Sequence, residues 1–305
     1  MHTEDMSPRY RDLDAWPVRE MLAAMFEGQL AAVAAVGPAL DAIAAAVEEA
    51  APLLRRGGRL AYAGAGTSGR LGALDGTELA PTFDWPEEKL VFALAGGLRA
   101  LSESVEGAED DEAAGAAAIA GARIGADDVV IAIAASGATP FTLGALRAAG
   151  ERGALTVAVA NNGDAPLLAA ARHRIVVETG PEAIAGSTRM KAGTAQKVVL
   201  NLFSTAVMAR LGRVHGGRMV HMRASNAKLR RRAETMIGEI LGCGAAEAAQ
   251  LTEAAEGDVK LAVLLGRGLG AGEAAALLDR HAGNLRAALG EAFPHPGPTG
   301  QTETG

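Results

Sequence analysis

The sequence predicts an α/β protein: a parallel sheet with helices on both faces, a three-layer αβα sandwich, followed by a small helical C-terminal domain. Three observations carry this. Five short runs are almost continuously apolar, the pattern of strands buried on both faces. Between them lie longer stretches of helical character, so strands and helices alternate. After about residue 235 the strand candidates stop and only short helical patterns remain.

Residues 18–54 predict helix, because Leu22, Met25, Leu30, Val33, Val36, Leu40, Ile43 and Val47 recur at three- and four-residue steps. Pro38 is a candidate break. Strands are predicted at 59–63, 89–94, 128–134, 155–160 and 173–178. Helices are predicted near 69–79, 98–120, 140–150 and 164–171, with a long one near 189–211. The C-terminal helices fall at 245–255, 258–268 and 271–281, with Gly257, Gly270 and Gly283 as stops. The segment 294–305 is rich in Pro and Gly and is expected to be disordered. The resulting division is 1–55 helical, 56–234 α/β, 235–291 a small helical bundle and 292–305 a tail.

Hydrophobic residues make up 49% of the chain but aromatics only 3%, so the core is expected to be Ala, Val, Leu and Ile. A net charge of −7 argues against a nucleic-acid partner. The single cysteine, Cys243, excludes an internal disulfide and a cysteine metal cluster, and reads as a small core residue. The charged start lacks the apolar core of a secretory signal. No run of 18 residues is apolar without a charge, so no membrane span is expected. These readings together place the chain in the cytoplasm.

Residues 64–69, Gly-Ala-Gly-Thr-Ser-Gly, match the dinucleotide fingerprint Gly-x-Gly-x-x-Gly. That fingerprint needs a carboxylate at the end of the second strand, and here the strand ends in Ala95-Gly96-Gly97. No nicotinamide cofactor is therefore expected. The loop offers instead Gly66, Thr67, Ser68 and Gly69 at a helix N-terminus, where amides, hydroxyls and the helix dipole suit an anion; simple N-capping by Thr67 or Ser68 is the alternative. Arg70 lies close by. Similar turns recur at Ser136-Gly137-Ala138-Thr139, with Pro140 at a first helical position, and at Ser187-Thr188, followed by Arg189 and Lys191. Three hydroxyl turns, each after a strand, converge at the carboxyl edge of a parallel sheet and point to a sugar phosphate held without metal. His215 and His221 are six residues apart with two glycines between, which does not suit one helix face, so packing or surface roles are expected.

The segments "GAGTSGRLGALDGTELAPTF" (64–83), "SVEGAEDD" (104–111), "AASGATPF" (134–141) and "GPEAIAGSTRMKAGTAQKVVLNLFST" (180–205) resemble the N-acetylmuramic acid 6-phosphate etherases of the sugar isomerase (SIS) domain superfamily. The resemblance runs from about residue 10 to about residue 290 and includes "ASNAKLRRRA" (224–233). It implies an SIS-type sheet, no cofactor, a homodimer, and cleavage of the D-lactyl ether of N-acetylmuramic acid 6-phosphate to N-acetylglucosamine 6-phosphate and D-lactate. The implied route is elimination across C2–C3 of the open-chain sugar, then hydration. By match to the family's two glutamates, Glu109 would remove the C2 proton, and Glu78 would protonate the departing lactate and activate water. The uncharged neighbours of Glu78 suggest a buried carboxyl with a raised pKa. Glu106 competes with Glu109 within the same acidic cluster. The family often has Arg where this chain has Ala138, and Ser-Glu-Cys-Pro-Pro where it has Thr77-Glu78-Leu79-Ala80-Pro81. Two other readings use the same fold: a non-catalytic sugar-phosphate sensor, for which the two glutamates are superfluous, and an aldose–ketose isomerase, which would release no lactate.

Overall fold

The computed structural model describes residues 3–222 and 226–294. They form two compact units, one made of the residues up to 81 with 85–207, the other of 82–84 with the residues from 208 on.

The first unit opens with 3₁₀ turns at Pro8–Tyr10 and Leu13–Ala15, then helices α1 (Val18–Ala34) and α2 (Leu40–Arg55). Pro38 lies in the 3₁₀ turn Gly37–Ala39 between them, so the apolar run does break there. Next come β1 (Leu60–Gly64), α3 (Gly66–Thr77), α4 (Leu79–Phe83), β2 (Leu90–Leu94), α5 (Glu112–Gly121), β3 (Val129–Ala134), α6 (Pro140–Glu151), β4 (Leu155–Ala160), α7 (Pro166–Ala169), β5 (His173–Val176) and α8 (Lys191–Arg210). All five strands are parallel, in the order β2-β1-β3-β4-β5.

Alternation along the strands sorts side chains onto two faces. Ala61, Ala63, Val130, Ala132, Ala158 and Ala160 share one core with Ile119 of α5, Leu146 of α6 and Leu167 of α7. Tyr62 and Ile133 take the opposite face beneath α3. Glycines let that helix come close: a Cβ at Gly72 would stand 2.9 Å from Ile133, and one at Gly76 2.6 Å from the Phe92 ring. The three-layer sandwich is thus present. Asp75 of α3 is buried there and accepts hydrogen bonds from Tyr62 Oη (2.8 Å), Asn201 Nδ2 (2.7 Å) and Ser204 Oγ (3.1 Å), tying α3 to β1 and α8.

One helix differs. The periodicity predicts a single helix over 98–120, but residues 97–101 and 108–110 are 3₁₀ turns and α5 starts only at Glu112. Gly97 and Gly107 adopt φ of +70° and +71°, which no continuing helix tolerates. Asp111 then sets the start, its Oδ1 accepting the Ala114 N–H at 2.8 Å.

At the opposite end of the sheet, Asp128 accepts the Arg59 backbone N–H (2.8 Å), Arg59 Nη2 (2.7 Å) and the Gly125 N–H (2.9 Å). Burial raises this carboxyl and is the largest single influence, but the hydrogen bonds from Arg59 and Gly125 together outweigh it, and the pKa falls below its ordinary 3.8. A depressed carboxylate adds stability that is full above the unfolded pKa, about 3.9, and fades as pH falls through the native one. Asp128→Asn is therefore expected to lower Tm by several degrees at neutral pH, and the gap to the native protein is expected to close below about pH 4. Thermal unfolding from pH 7 to pH 2 checks this; a gap constant over that range contradicts it.

Residues 18–55 reach a mean hydropathy of 2.0 over an 18-residue window, long and apolar enough by composition to cross a membrane. A count of uninterrupted apolar runs misses this because Asp41 interrupts the densest part. The stretch is two helices with different surroundings. α2 buries Ile43, Ala46, Val47, Ala50 and Leu54. α1 instead exposes Val18, Leu22, Phe26, Leu30 and Val33, an apolar stripe at helical spacing.

The second unit holds a hairpin, β6 (Val214–His215) with β7 (Arg218–Met219), turned by Gly216 and Gly217 at positive φ. Five helices follow: α9 (Ala227–Leu241), α10 (Ala245–Ala254), α11 (Val259–Gly266), α12 (Ala271–Arg280) and α13 (Leu285–Ala292). Their core includes Ile237, Val263, Leu264, Leu277 and Leu285. Neither the hairpin nor α13 is among the elements the pattern predicts. Gly257 and Gly283 have positive φ, as helix stops should, but Gly270 is the N-cap of α12, and Gly268 at +98° follows α11 instead. By contacts the units divide at 207–208, so residues 208–234 group with the helical bundle rather than with the α/β domain. The tail from 295 on lies outside the described residues.

Candidate active site at the strand ends

β1 and β3 are neighbours in the sheet, and the connection after β1 leads to β2 on one side while that after β3 leads to β4 on the other, so the two diverge at the carboxyl ends of these strands. Such a switch point is where open parallel sheets bind ligands. A cavity of about 420 Å³ lies there. Its lining comes from Ala65, Gly66, Thr67 and Ser68 after β1, Glu109 and Asp110 after β2, Ser136, Ala138, Thr139 and Pro140 after β3, Thr188 before α8, and Glu4.

The first turn is built for an anion. The N-cap of α3 is Ala65, which has no side chain to cap with. The Gly69 N–H reaches Ala65 O at 3.0 Å, which leaves the amides of Gly66, Thr67 and Ser68 without partners inside the helix. Neither Thr67 nor Ser68 caps it, so their hydroxyls remain for a ligand. Gly69 does not line the cavity; a Cβ there would stand 2.8 Å from Gly64 O, so it allows α3 to begin against the end of β1. In the second turn Ser136 Oγ accepts the Ala138 N–H at 3.2 Å, and Thr139 is an N-cap without a side-chain bond. Gly137 shapes this turn from behind: its φ is +66°, and a Cβ would meet the Ala165 methyl at 2.3 Å.

The third turn contributes less. Thr188 lines the cavity, but Ser187 and Lys191 do not. Buried Glu182 occupies the start of α8, accepting the Lys191 and Ala192 N–H groups at 2.9 Å each. Lys191 Nζ donates to Pro181 O at 2.9 Å, and burial pulls its ammonium below the ordinary value. Arg70 is also engaged elsewhere, donating to Ala100 O and Glu103 O. No cation lines the cavity, so amides and hydroxyls are left to hold an anion.

Glu109 sits on the 3₁₀ turn Ala108–Asp110 and faces the cavity; Glu106 does not line it. Its neighbours in the acidic cluster have separate tasks: Asp111 caps α5, and Glu112 pairs with Arg147 at 2.6 Å. Glu78 departs from expectation. It is exposed at the C-cap of α3, twelve residues beyond Gly66 and so about 18 Å along the helix. The uncharged neighbour Leu79, 2% exposed, turns inward in its place. Glu78 does not line the cavity that Glu109 faces.

Glu4 and Asp110 line the site without a sequence signal. Glu4 arrives because buried Thr3 is pinned to Asn162: the Thr3 N–H donates to Asn162 Oδ1, and Asn162 Nδ2 donates to Thr3 Oγ1, each at 3.2 Å. No local pattern links positions so far apart. Among the described residues no group of three or more His, Cys, Asp or Glu is placed to hold a metal. In the second unit, His221 Nδ1 contacts Lys260 Nζ, and burial lowers the Lys260 ammonium to about 8. Cys243 is a free thiol packed against the helical core.

Residues 42–150 match the glucokinase regulatory protein N-terminal SIS domain, and residues 111–206 match the SIS domain. The chain is 52% identical over 290 residues to the N-acetylmuramic acid 6-phosphate etherase of Deinococcus radiodurans, covering 95% of both chains. It is 46% identical to the Streptomyces avermitilis enzyme of that name, covering 95% of this chain and 94% of the relative. It is 47% identical to the Geobacillus thermodenitrificans one, covering 94% and 98%. A phosphoheptose isomerase from Francisella tularensis has a related architecture over 64% of this chain and all of its own, at 15% identity and a TM-score of 0.47, too distant to bear on function. At this identity over nearly its whole length, and with the SIS sheet and its strand-end cavity in place, the chain belongs to the N-acetylmuramic acid 6-phosphate etherase family.

Proposed function

We propose that this protein is a carbon–oxygen lyase that splits N-acetylmuramic acid 6-phosphate into D-lactate and N-acetylglucosamine 6-phosphate, in the recycling of cell-wall amino sugars. Family membership supports the reaction. The observation that carries the mechanism is Glu109 at the mouth of a cavity whose other wall is the open N-terminus of α3. The 6-phosphate rests on the amides of Gly66, Thr67 and Ser68 and on the Ser68, Ser136, Thr139 and Thr188 hydroxyls. Glu109 takes the C2 proton, made acidic by the C1 aldehyde of the open-chain sugar. The electron pair left on C2 forms the C2–C3 double bond, and the bond from C3 to the lactyl oxygen breaks. That oxygen takes a proton from the carboxyl of Glu78. Water, deprotonated by Glu78, then adds to C3 while Glu109 returns the proton to C2.

Glu78 reaches this site from a second copy of the chain. Its exposed place at the C-cap of α3, well along the helix from Gly66, supports that reading. A homodimer is further supported by the apolar stripe of α1, which a partner would cover. The reaction as written needs no cofactor, metal, nucleic acid or membrane, and the protein acts in the cytoplasm.

The test is D-lactate release from N-acetylmuramic acid 6-phosphate, without added metal or nicotinamide. Stoichiometric D-lactate and N-acetylglucosamine 6-phosphate are expected. A folded protein that binds the sugar phosphate but releases no lactate contradicts the proposal and favours the sensor; a ketose product favours the isomerase.

A further inference from the structure

A second cavity, of about 330 Å³, lies wholly within the helical unit. It is lined by His215 of the β6–β7 hairpin, Arg267 at the end of α11, Arg286, Leu289 and Gly290 of α13, and Phe293 at the C-cap of α13. The last four stand at helical spacing, so one face of α13 forms a wall. Nothing in the mechanism above uses these residues.

Two features mark it as a binding site. The first is uncompensated positive charge. Among the described residues neither Arg267 nor Arg286 has an ion pair or a side-chain hydrogen bond. The nearest acid on α13, Glu291, is taken by Arg280 and His281. Two guanidiniums at one cavity without a carboxylate is unusual in a chain of net charge −7. The second is an unmet polar atom. Among the described residues His215 Nδ1 is buried without a hydrogen-bond partner, an unfavourable state that a ligand would relieve. Burial, then Arg286 and Arg218, hold the His215 imidazole below its ordinary pKa, a sign of the same unbalanced positive field.

We propose that this cavity binds a phosphomonoester, its phosphate between Arg267, Arg286 and His215 and its carbon skeleton along Leu289 and Phe293. Two arginines match a dianion, which offers them separate oxygens, whereas a carboxylate is satisfied by one. Phe293, 41% exposed, offers an aromatic surface for a ring. The inference is independent of the proposed etherase activity, because it concerns a different cavity and is read by binding.

The experiment is calorimetric titration of the whole protein with phenyl phosphate, beside the double variant Arg267→Ala/Arg286→Ala. Two sites per chain are expected in the native protein, one at the strand ends and one here. The double variant is expected to lose one site, with affinity there weakened at least tenfold, while its lactate release is unchanged. Proton NMR of the imidazole C–H signals, assigned with His215→Gln, is expected to show the His215 resonance moving on saturation. Phenyl phosphate binding whose stoichiometry and affinity are the same in the double variant as in the native protein overturns the proposal. Benzoate binding as tightly as phenyl phosphate overturns the phosphomonoester class.

Discussion

Glu109→Gln is expected to lower D-lactate turnover by about 10³-fold, within the range a positioned general base contributes. The substitution keeps the size and shape of the side chain and removes only its capacity to accept the C2 proton. Glu109 is exposed on a 3₁₀ turn and bears no fold-defining hydrogen bond, so Tm is expected to stay within a degree or two. Binding of N-acetylglucosamine 6-phosphate is expected to persist, since the proposed phosphate site is α3 and the hydroxyl turns rather than Glu109. The loss is therefore expected in kcat, with KM little changed. Near-native turnover in Glu109→Gln would shift the base to Asp110 or Glu4, the other carboxylates of the cavity, rather than to Glu106, which does not line it.

Glu78→Gln is expected to cost turnover by a similar factor, although nothing in its own chain places it near the sugar. A bland surface position predicts no effect at all, because exposed substitutions rarely matter. A loss of 10² or more in lactate release, with unchanged Tm and unchanged phosphate binding, is the result that the two-carboxylate mechanism requires. Activity within twofold of native would remove Glu78 from the chemistry.

Much of this was legible in the residues themselves. Nearly continuous apolar runs such as Val129–Ala134 marked the strands, because a strand buried on both faces has no reason to alternate. The hydroxyl turns at Thr67, Ser68, Ser136 and Thr139 stood out because each follows such a strand. Over residues 98–111 the pattern and the backbone disagree: Leu98, Leu101 and Val105 imitate a helical stripe, while Gly97 and Gly107 at positive φ decide the backbone. The surroundings of Lys191 are not legible in its own segment: a basic residue at a helix start suggests an anion contact, and Glu182, nine residues earlier, already accepts the amides of that helix end. Glu4 was invisible because its place depends on the Thr3–Asn162 contact, across 159 positions of sequence. The exposure of Glu78 was hidden too, since composition near it shows which residues are apolar but not which way the chain turns at the end of α3.

In the proposed dimer each site takes Glu109 from one chain and Glu78 from another. Mixing Glu78→Gln and Glu109→Gln chains, each nearly inactive alone, after reversible unfolding or by co-expression, and following D-lactate release tests this. In a mixed dimer one site keeps both carboxylates and the other has neither. Random pairing makes about half of the dimers mixed, so recovery to about a quarter of native activity is expected. Two inactive variants that stay inactive when mixed, in a preparation shown by mass spectrometry to contain the mixed dimer, would contradict the shared site.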